Sequence, residues 1–300
     1  MELNTETVNT PPRPAATIVL LRDAHPGLEV LLLKRHALSD VLAGAHVFPG
    51  GKVDPQDAAT ALQALLQDSP AVLQQRLQES ALEPAAAAAL HVAAIREAFE
   101  ESGILLAQDA SRQQVEAARA WLREGVPFAE ALARLQLRLP TRAVLPWSRW
   151  VTPRVPTVTN KRFDTRFFIA AVPPDQEAVH DNHEATEALW LQPREALERY
   201  RHHAIDLAPP QIMSLSLLTH FRDVAQALEH ARAKTPPLVE PEPFLQDGVR
   251  FVAYPGDPRH SRPKRAFPGP TRLAFRDGRF EPPDGFDTLF DRAPGYFDEA

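Results

Sequence analysis

Three hundred residues, 44% of them apolar and 24% charged, describe a globular chain built as one large domain or one domain with appendages. A net charge of −6 argues against a general nucleic-acid binder, which needs a basic face, yet leaves room for a small anionic ligand held by a few local cations. The absence of cysteine excludes disulfides and thiolate metal sites, and no apolar run approaches the ~20 residues that cross a bilayer. Neither nucleic acid nor membrane is therefore expected as a partner, and the expected compartment is the cytoplasm.

Residues 1–13 are polar and acidic, without a charged-then-apolar leader, and are read as a disordered start running into Pro14. Residues 16–21 and 28–33 are aliphatic strands joined by a turn at His25, Pro26 and Gly27. Their lack of strict alternation suits strands buried on both faces. Lys34 and Arg35 follow, then a loop. His46, Val47, Phe48, Pro49, Gly50 and Gly51 next read as a short strand entering a glycine-dependent turn. Residues 55–67 and 71–82 have helical composition, broken near Asp68, Ser69 and Pro70. Pro84, tolerated in a first helical turn, opens an alanine-rich run that continues to Glu101 as one long helix, with Gly103 placed to stop it.

On that helix Glu97, Glu100 and Glu101 are spaced i, i+3 and i+4, so they project from one face with their carboxylates close together. Oxygen-only clusters suit hard divalent cations such as Mg²⁺ or Mn²⁺. Arg96 is placed to pair with Glu100 and orient the cluster. The plain alternative is a solvated acidic helix face. Asp54 and Asp57 lie between the turn and the helix, and each is also placed to cap the segment that follows it.

Gly51, an acid six positions on at Asp57, and then Arg96, Glu97, Glu100, Glu101, Gly103 and Ile104 together resemble the signature of the Nudix hydrolases, which cleave nucleoside diphosphates linked to another moiety. Two departures stand out: Asp57 replaces the usual Glu, and the short spacer of the signature has become residues 58–95. A long insertion at this point is similar to the branch that contains coenzyme A diphosphatases. The resemblance implies an α/β (α+β) fold, an α/β/α sandwich with a mixed sheet. A helical insertion would span 58–95, within a catalytic domain at 14–234, and an irregular proline-rich extension at 235–300 would pack on that domain. It implies Mg²⁺ or Mn²⁺ on Glu100, Glu101 and the Gly51 backbone, with Glu97 a further ligand or an aid to water activation and Arg96 positioning the cluster. Gly50 and Gly51 would admit the phosphates closely because neither carries a β-carbon. The insertion either caps the substrate side of the site or is a spacer that packs away from it or mediates dimerisation.

Further along, residues 104–106 read as a strand, 110–124 and 128–137 as amphipathic helices with Trp121 in the core, and 143–151, 163–172 and 187–191 as strands. Helices follow at 193–203 and 210–233. From Thr235 prolines and glycines mark the extension, in which residues 249–254 and 271–275 read as short strands with a third near Phe280, and whose Phe251, Tyr254, Phe267 and Phe275 need burial somewhere. Glu184, six residues before Trp190, sits where the family often carries a further carboxylate; it is a candidate ligand or base, or else an exposed loop acid. Arg35, nine residues before Gly44, keeps part of a spacing seen in coenzyme A-cleaving members, although Asp40 replaces the second Arg of that pattern. Arg35 is therefore a candidate for the anionic substrate, or else a surface ion-pair partner. Lys161, Arg162 and Arg166 are further candidate cations, or a sheet-edge charge cluster. The histidines read as surface or helix-end residues at His91, His202 and His203, and as core at His46.

The resemblance thus points to a metal-dependent diphosphatase acting on a small nucleoside diphosphate substrate, with coenzyme A or acyl-CoA favoured. ADP-ribose, NADH and related compounds are the alternative, and an inactive nucleotide-sensing or partner-binding module is the alternative of another class. Homodimers are common in such folds, and the sequence leaves the oligomeric state open.

Overall fold

A computed structural model describes residues 6–39, 42–155, 161–179 and 185–298. Its spine is β1 (Arg13–Ala24), which forms a hairpin with β2 (Gly27–Arg35) through the expected turn. Beyond the hairpin lie β3 (His46–Val47) and β4 (Gly50–Lys52), either side of Phe48 and Pro49. A short 3₁₀ turn (Pro55–Ala58) leads to α1 (Thr60–Gln63), α2 (Pro70–Leu77) and the long α3 (Pro84–Ser102). Then come α4 (Arg112–Arg123), α5 (Phe128–Arg134), β5 (Leu145–Val151), β6 (Phe163–Ala171), β7 (Ala185–Leu191), α6 (Pro193–Arg201), α7 (Pro209–Leu218) and α8 (Val224–Ala233).

The sheet is mixed, as expected. β1 runs parallel to β6, with Arg13 opposite Phe163 and Leu21 opposite Ala171. Its other edge is shared: β4 pairs with Ala15–Thr17 in antiparallel sense, and β2 takes over from Leu21. β2 also holds β3 and β7, while β5 lies outside β6 and carries β8 (Leu238–Val239) at the edge. Side chains alternate across these strands. Ile18, Leu20, Leu31, Leu33 and Phe168 face α2, α3, α4 and α5 in one core; Val19, Leu21, Val30, Leu32 and Phe167 face α6, α7 and α8 in the other. Both faces are covered, which is why the strand sequences read as continuous apolar runs.

Several expectations are corrected. Residues 104–106 form no strand; the Gln176 side chain accepts from the Leu105 N–H at 2.8 Å and donates back to its carbonyl at 2.9 Å, replacing a strand partner. The helix read at 210–233 is two, because Asp223 caps a fresh start by accepting from the Gln226 N–H at 2.8 Å. The extension, read as irregular, is a sheet: the short strands expected at 249–254, at 271–275 and near Phe280 are present, and a fourth joins them. β9 (Glu242–Gln246), β10 (Val249–Ala253), β11 (Arg272–Arg276) and β12 (Arg279–Glu281) make an antiparallel sheet in the order β12, β11, β10, β9. Pro243 is accommodated because β9 is an edge strand. Tyr254, Phe267, Phe280 and Leu289 are buried in the same core as Trp150 and Tyr200, and Phe267 stacks on Trp150 at 5.7 Å between ring centres.

His91, expected at the surface, is fully buried in α3 against Phe168. Trp121, expected in the core, is only half-buried beneath the Arg134 guanidinium. Leu62, Leu66, Leu73 and Leu77 of the insertion pack into the α3 side of the core. Among the described residues no helix is long and apolar enough to cross a membrane.

Candidate active site

The site begins at the end of α3. The alanine-rich first half of this helix buries Ala87, Ala88, Ala93, Ala94 and Ile95, letting the helix lie close to the sheet. Gly103 ends it in the left-handed conformation, at φ +67°, with its N–H donating to the Phe99 carbonyl at 2.9 Å. The last turns thereby come level with β4. The Gly50 N–H donates to Glu101 Oε2 at 2.9 Å. At Gly51 a β-carbon would stand 2.5 Å from Glu97 Oε1, so only glycine leaves room for that carboxylate.

Arg96 sits between the acids. Its Nε and Nη2 donate to the two oxygens of Asp57 at 2.8 and 3.0 Å, Nη1 donates to Glu97 Oε1 at 2.9 Å and Glu100 Oε2 at 2.8 Å, and Nη2 reaches the Lys52 carbonyl at 3.1 Å. Burial works against its charge, but Asp57, Glu97 and Glu100 outweigh that and hold the guanidinium firmly protonated. Asp57 is completely buried. It is the anchor of Arg96, and its carboxylate also accepts from the Asp54 N–H at 2.8 Å. Partial desolvation pushes the Glu100 carboxyl up, with Arg96 pulling the other way.

The expectation that Glu97, Glu100 and Glu101 converge on one point is corrected in detail. Among the described residues, no three acidic or histidine side chains stand close enough together to hold an ion as placed. Arg96 draws Glu97 and Glu100 toward itself, and the Gly50 amide draws Glu101. The donor set nonetheless fits a hard divalent cation. It is all oxygen, it lies on one rigid helix, and the space beside Gly51 is what a β-carbon would fill.

A cleft of about 640 Å³ opens on this cradle, lined among others by Arg35, Lys52, Lys161, Phe48, Gly50, Gly51, Glu97 and Gln211. Arg35 is on this wall, with its Nε buried and without a hydrogen-bond partner among the described residues. Arg162 and Arg166 are not. Phe163 and Thr165 line the cleft, so strand alternation turns their even-numbered neighbours to the opposite face of β6. Arg162 donates to the Thr152 and Thr10 carbonyls, and Arg166 is buried against Glu79 and Asp164. Residues 58–95 contribute nothing to the lining of this cleft. Glu184 and Asp40 lie outside the described residues. Sequence reasoning missed Lys52, signalled only by its place after the glycine pair, and Gln211, which had no signal at all.

His46 is buried beside the turn, its N–H donating to the Asp206 carbonyl at 2.8 Å, and burial lowers its ring pKa. The Asp206 carboxylate in turn accepts from Arg279 Nη1 at 2.8 Å, which ties the extension to the turn.

Residues 6–218 match the NUDT19 Nudix domain. The acyl-coenzyme A diphosphatase NUDT19 of Xenopus laevis is 32% identical over 233 residues, covering 65% of this chain and 61% of the frog protein, so the match spans less than two thirds of that relative. The Gallus gallus protein of the same name is 29% identical over 292 residues, covering 79% of this chain and 75% of its own. Among solved structures, a NUDIX hydrolase from Alicyclobacillus acidocaldarius superposes with a TM-score of 0.58 at 28% identity, covering 74% of this chain and 97% of that one. With the domain match spanning most of the chain and the signature residues meeting at one cradle, this chain belongs to the Nudix hydrolase family.

Proposed function

We propose that the protein hydrolyses the diphosphate of coenzyme A or an acyl-CoA, water displacing one phosphate from the other to release adenosine 3′,5′-bisphosphate and the phosphopantetheine product. The observation that carries this reading is the locking of Gly50 and Gly51 against Glu101 and Glu97 at the mouth of a cleft lined by Arg35, Lys52 and Lys161. The coenzyme A moiety is supported by the names of the frog and chicken relatives.

Divalent metal dependence goes with the family, and Glu97, Glu100, Glu101 and the Gly51 backbone are the residues that would hold Mg²⁺ or Mn²⁺, supplying charge neutralisation on the diphosphate and a more acidic water. Arg96 fixes the orientation of Glu97 and Glu100, and Asp57 fixes Arg96. The Gly50 amide holds Glu101. Arg35 lines the cleft and would present its guanidinium to a phosphate, the group arginine is best suited to bind. Glu184 retains its proposed place as a further carboxylate or base. The catalytic unit is assigned to 14–234, with 235–300 packed on it.

The experiment is incubation of the purified chain with coenzyme A, acetyl-CoA, a long-chain acyl-CoA, ADP-ribose and NADH, with Mg²⁺ or Mn²⁺, and identification of products by mass. Release of adenosine 3′,5′-bisphosphate from the coenzyme A compounds is expected. Turnover confined to ADP-ribose or NADH would replace the substrate, and no turnover of any of them would remove the activity.

A further inference from the structure

Gln211 stands in the first turn of α7, whose Ile212, Leu215 and Leu218 pack into the core beside the buried Ser214 and Ser216. It is only 5% exposed, yet it touches the same cleft as Gly50, Gly51 and Glu97. Its Oε1 is buried and has no hydrogen-bond partner among the described residues. Buried acceptors are nearly always satisfied, and at the wall of a ligand cleft a bound molecule can supply the donor. Leu42, Val47 and Phe48 line the same cleft and give it an apolar flank suited to a flat ring, with the cations of Arg35, Lys52 and Lys161 also on its wall.

A carboxamide matches one nucleobase well. Its oxygen accepts from the exocyclic amino group of adenine while its NH₂ donates to a ring nitrogen; a 6-oxo purine puts an acceptor where the amino group was. We propose that Gln211 is a specificity-determining residue whose Oε1 accepts a hydrogen bond from the adenine amino group of the substrate, so that the cleft takes 6-amino purine nucleotides and rejects 6-oxo ones. This rests on the reading of the cleft as a nucleoside diphosphate site. It goes beyond that reading in assigning the base and the residue that recognises it.

The test is calorimetric binding of AMP and IMP to the full chain and to Gln211→Leu, which has similar volume and no polar atom to leave unsatisfied. The intact chain is expected to bind AMP about tenfold to a hundredfold tighter than IMP. In Gln211→Leu that ratio collapses to near unity through weaker AMP binding. The kcat/KM for coenzyme A falls by the same factor through KM, with kcat held. Gln211→Met, also unbranched and of similar length, is the second variant should the first fold poorly. Equal affinities in the intact chain, no measurable AMP binding, or a preference that survives both substitutions overturns the assignment and leaves an ordered water as the partner of Oε1. Because calorimetry needs no turnover, failure to cleave coenzyme A would remove the proposed activity without touching this result.

Discussion

The Gly50 N–H and the Glu101 carboxylate meet at 2.9 Å although 51 positions separate them, and residues 58–95 are looped out between the two halves of the signature. The insertion packs into the core on the α3 side while β4 and the end of α3 close on each other. The contact makes the two neighbouring glycines inequivalent. At Gly51 the nearest atoms to a β-carbon are those at the end of the Glu97 side chain, from 2.5 Å. At Gly50 it meets the Ala16 carbonyl at 2.6 Å and the Thr17 Cα at 2.7 Å, which are backbone. Gly51→Ala is therefore expected to keep its melting temperature within a few degrees while losing at least about a hundredfold in kcat, by displacing Glu97. Gly50→Ala is expected to lose roughly 1–3 kcal/mol of stability. Denaturant titration and turnover on both variants separate the two effects.

Asp57 has no exposed surface and binds the Arg96 guanidinium through both oxygens. Removing one partner of such a pair strands the other charge, at about 3–5 kcal/mol. Asp57→Ala is expected to fall in that range by urea denaturation. Arg96→Lys, which keeps the charge but loses the fork, is expected to reduce turnover more than stability. Equal losses in both properties for the lysine variant would contradict a positioning role for Arg96.

Much of this site could be read from residue order because its parts are local. The i, i+3, i+4 acids and the Gly103 stop lie on one helix, and the paired glycines, read as a turn, lie side by side in β4. What could not be read depends on distant partners. Arg166 looked like a phosphate ligand, but it meets Glu79, 87 positions away, once strand alternation turns it from the cleft. His91 looked exposed because histidine is polar, whereas its neighbours on α3 are nearly all small and apolar and the helix is buried around it. Three strands of the second sheet were legible as short apolar runs, whereas its edge strand β9 was hidden by Pro243, and Gln211 becomes informative only when its missing donor is seen.

His91 gives the fold an acid-sensitive point. Burial holds its ring at about 4 against an ordinary 6.5, with Nδ1 donating to the Ala87 carbonyl at 2.8 Å. The folded pKa is depressed, so the unfolded chain takes up the proton first as pH falls below the ordinary value. Its contribution is intact at neutral pH and is lost progressively toward pH ~4, by up to about 3 kcal/mol. His91→Phe is expected to flatten the stability curve over this interval relative to the parent chain. Parallel curves would place the acid sensitivity elsewhere.

The extension is expected to be inseparable from the domain. Tyr254, Phe267, Phe280 and Leu289 are each at most 3% exposed and share a core with Trp150 and Tyr200. Each large side chain of this kind contributes about 1.5–3 kcal/mol on burial, against a net stability of about 5–15 kcal/mol for a whole domain. A chain cut after residue 234 should therefore lose its near-ultraviolet dichroism and cooperative unfolding transition. Arg279→Met, which frees Asp206 and the backbone that accepts from His46, should weaken turnover more gently, within about tenfold.

The most direct measurement of the central claim is product-resolved turnover of coenzyme A by the intact chain and by Glu100→Gln and Glu101→Gln, with Mg²⁺ or Mn²⁺ present and after chelation. The account predicts adenosine 3′,5′-bisphosphate and phosphopantetheine from the intact chain only when the ion is supplied, and a loss of at least about a thousandfold in both glutamine variants at unchanged melting temperature. Undiminished cleavage by either variant, or cleavage indifferent to chelation, would contradict it.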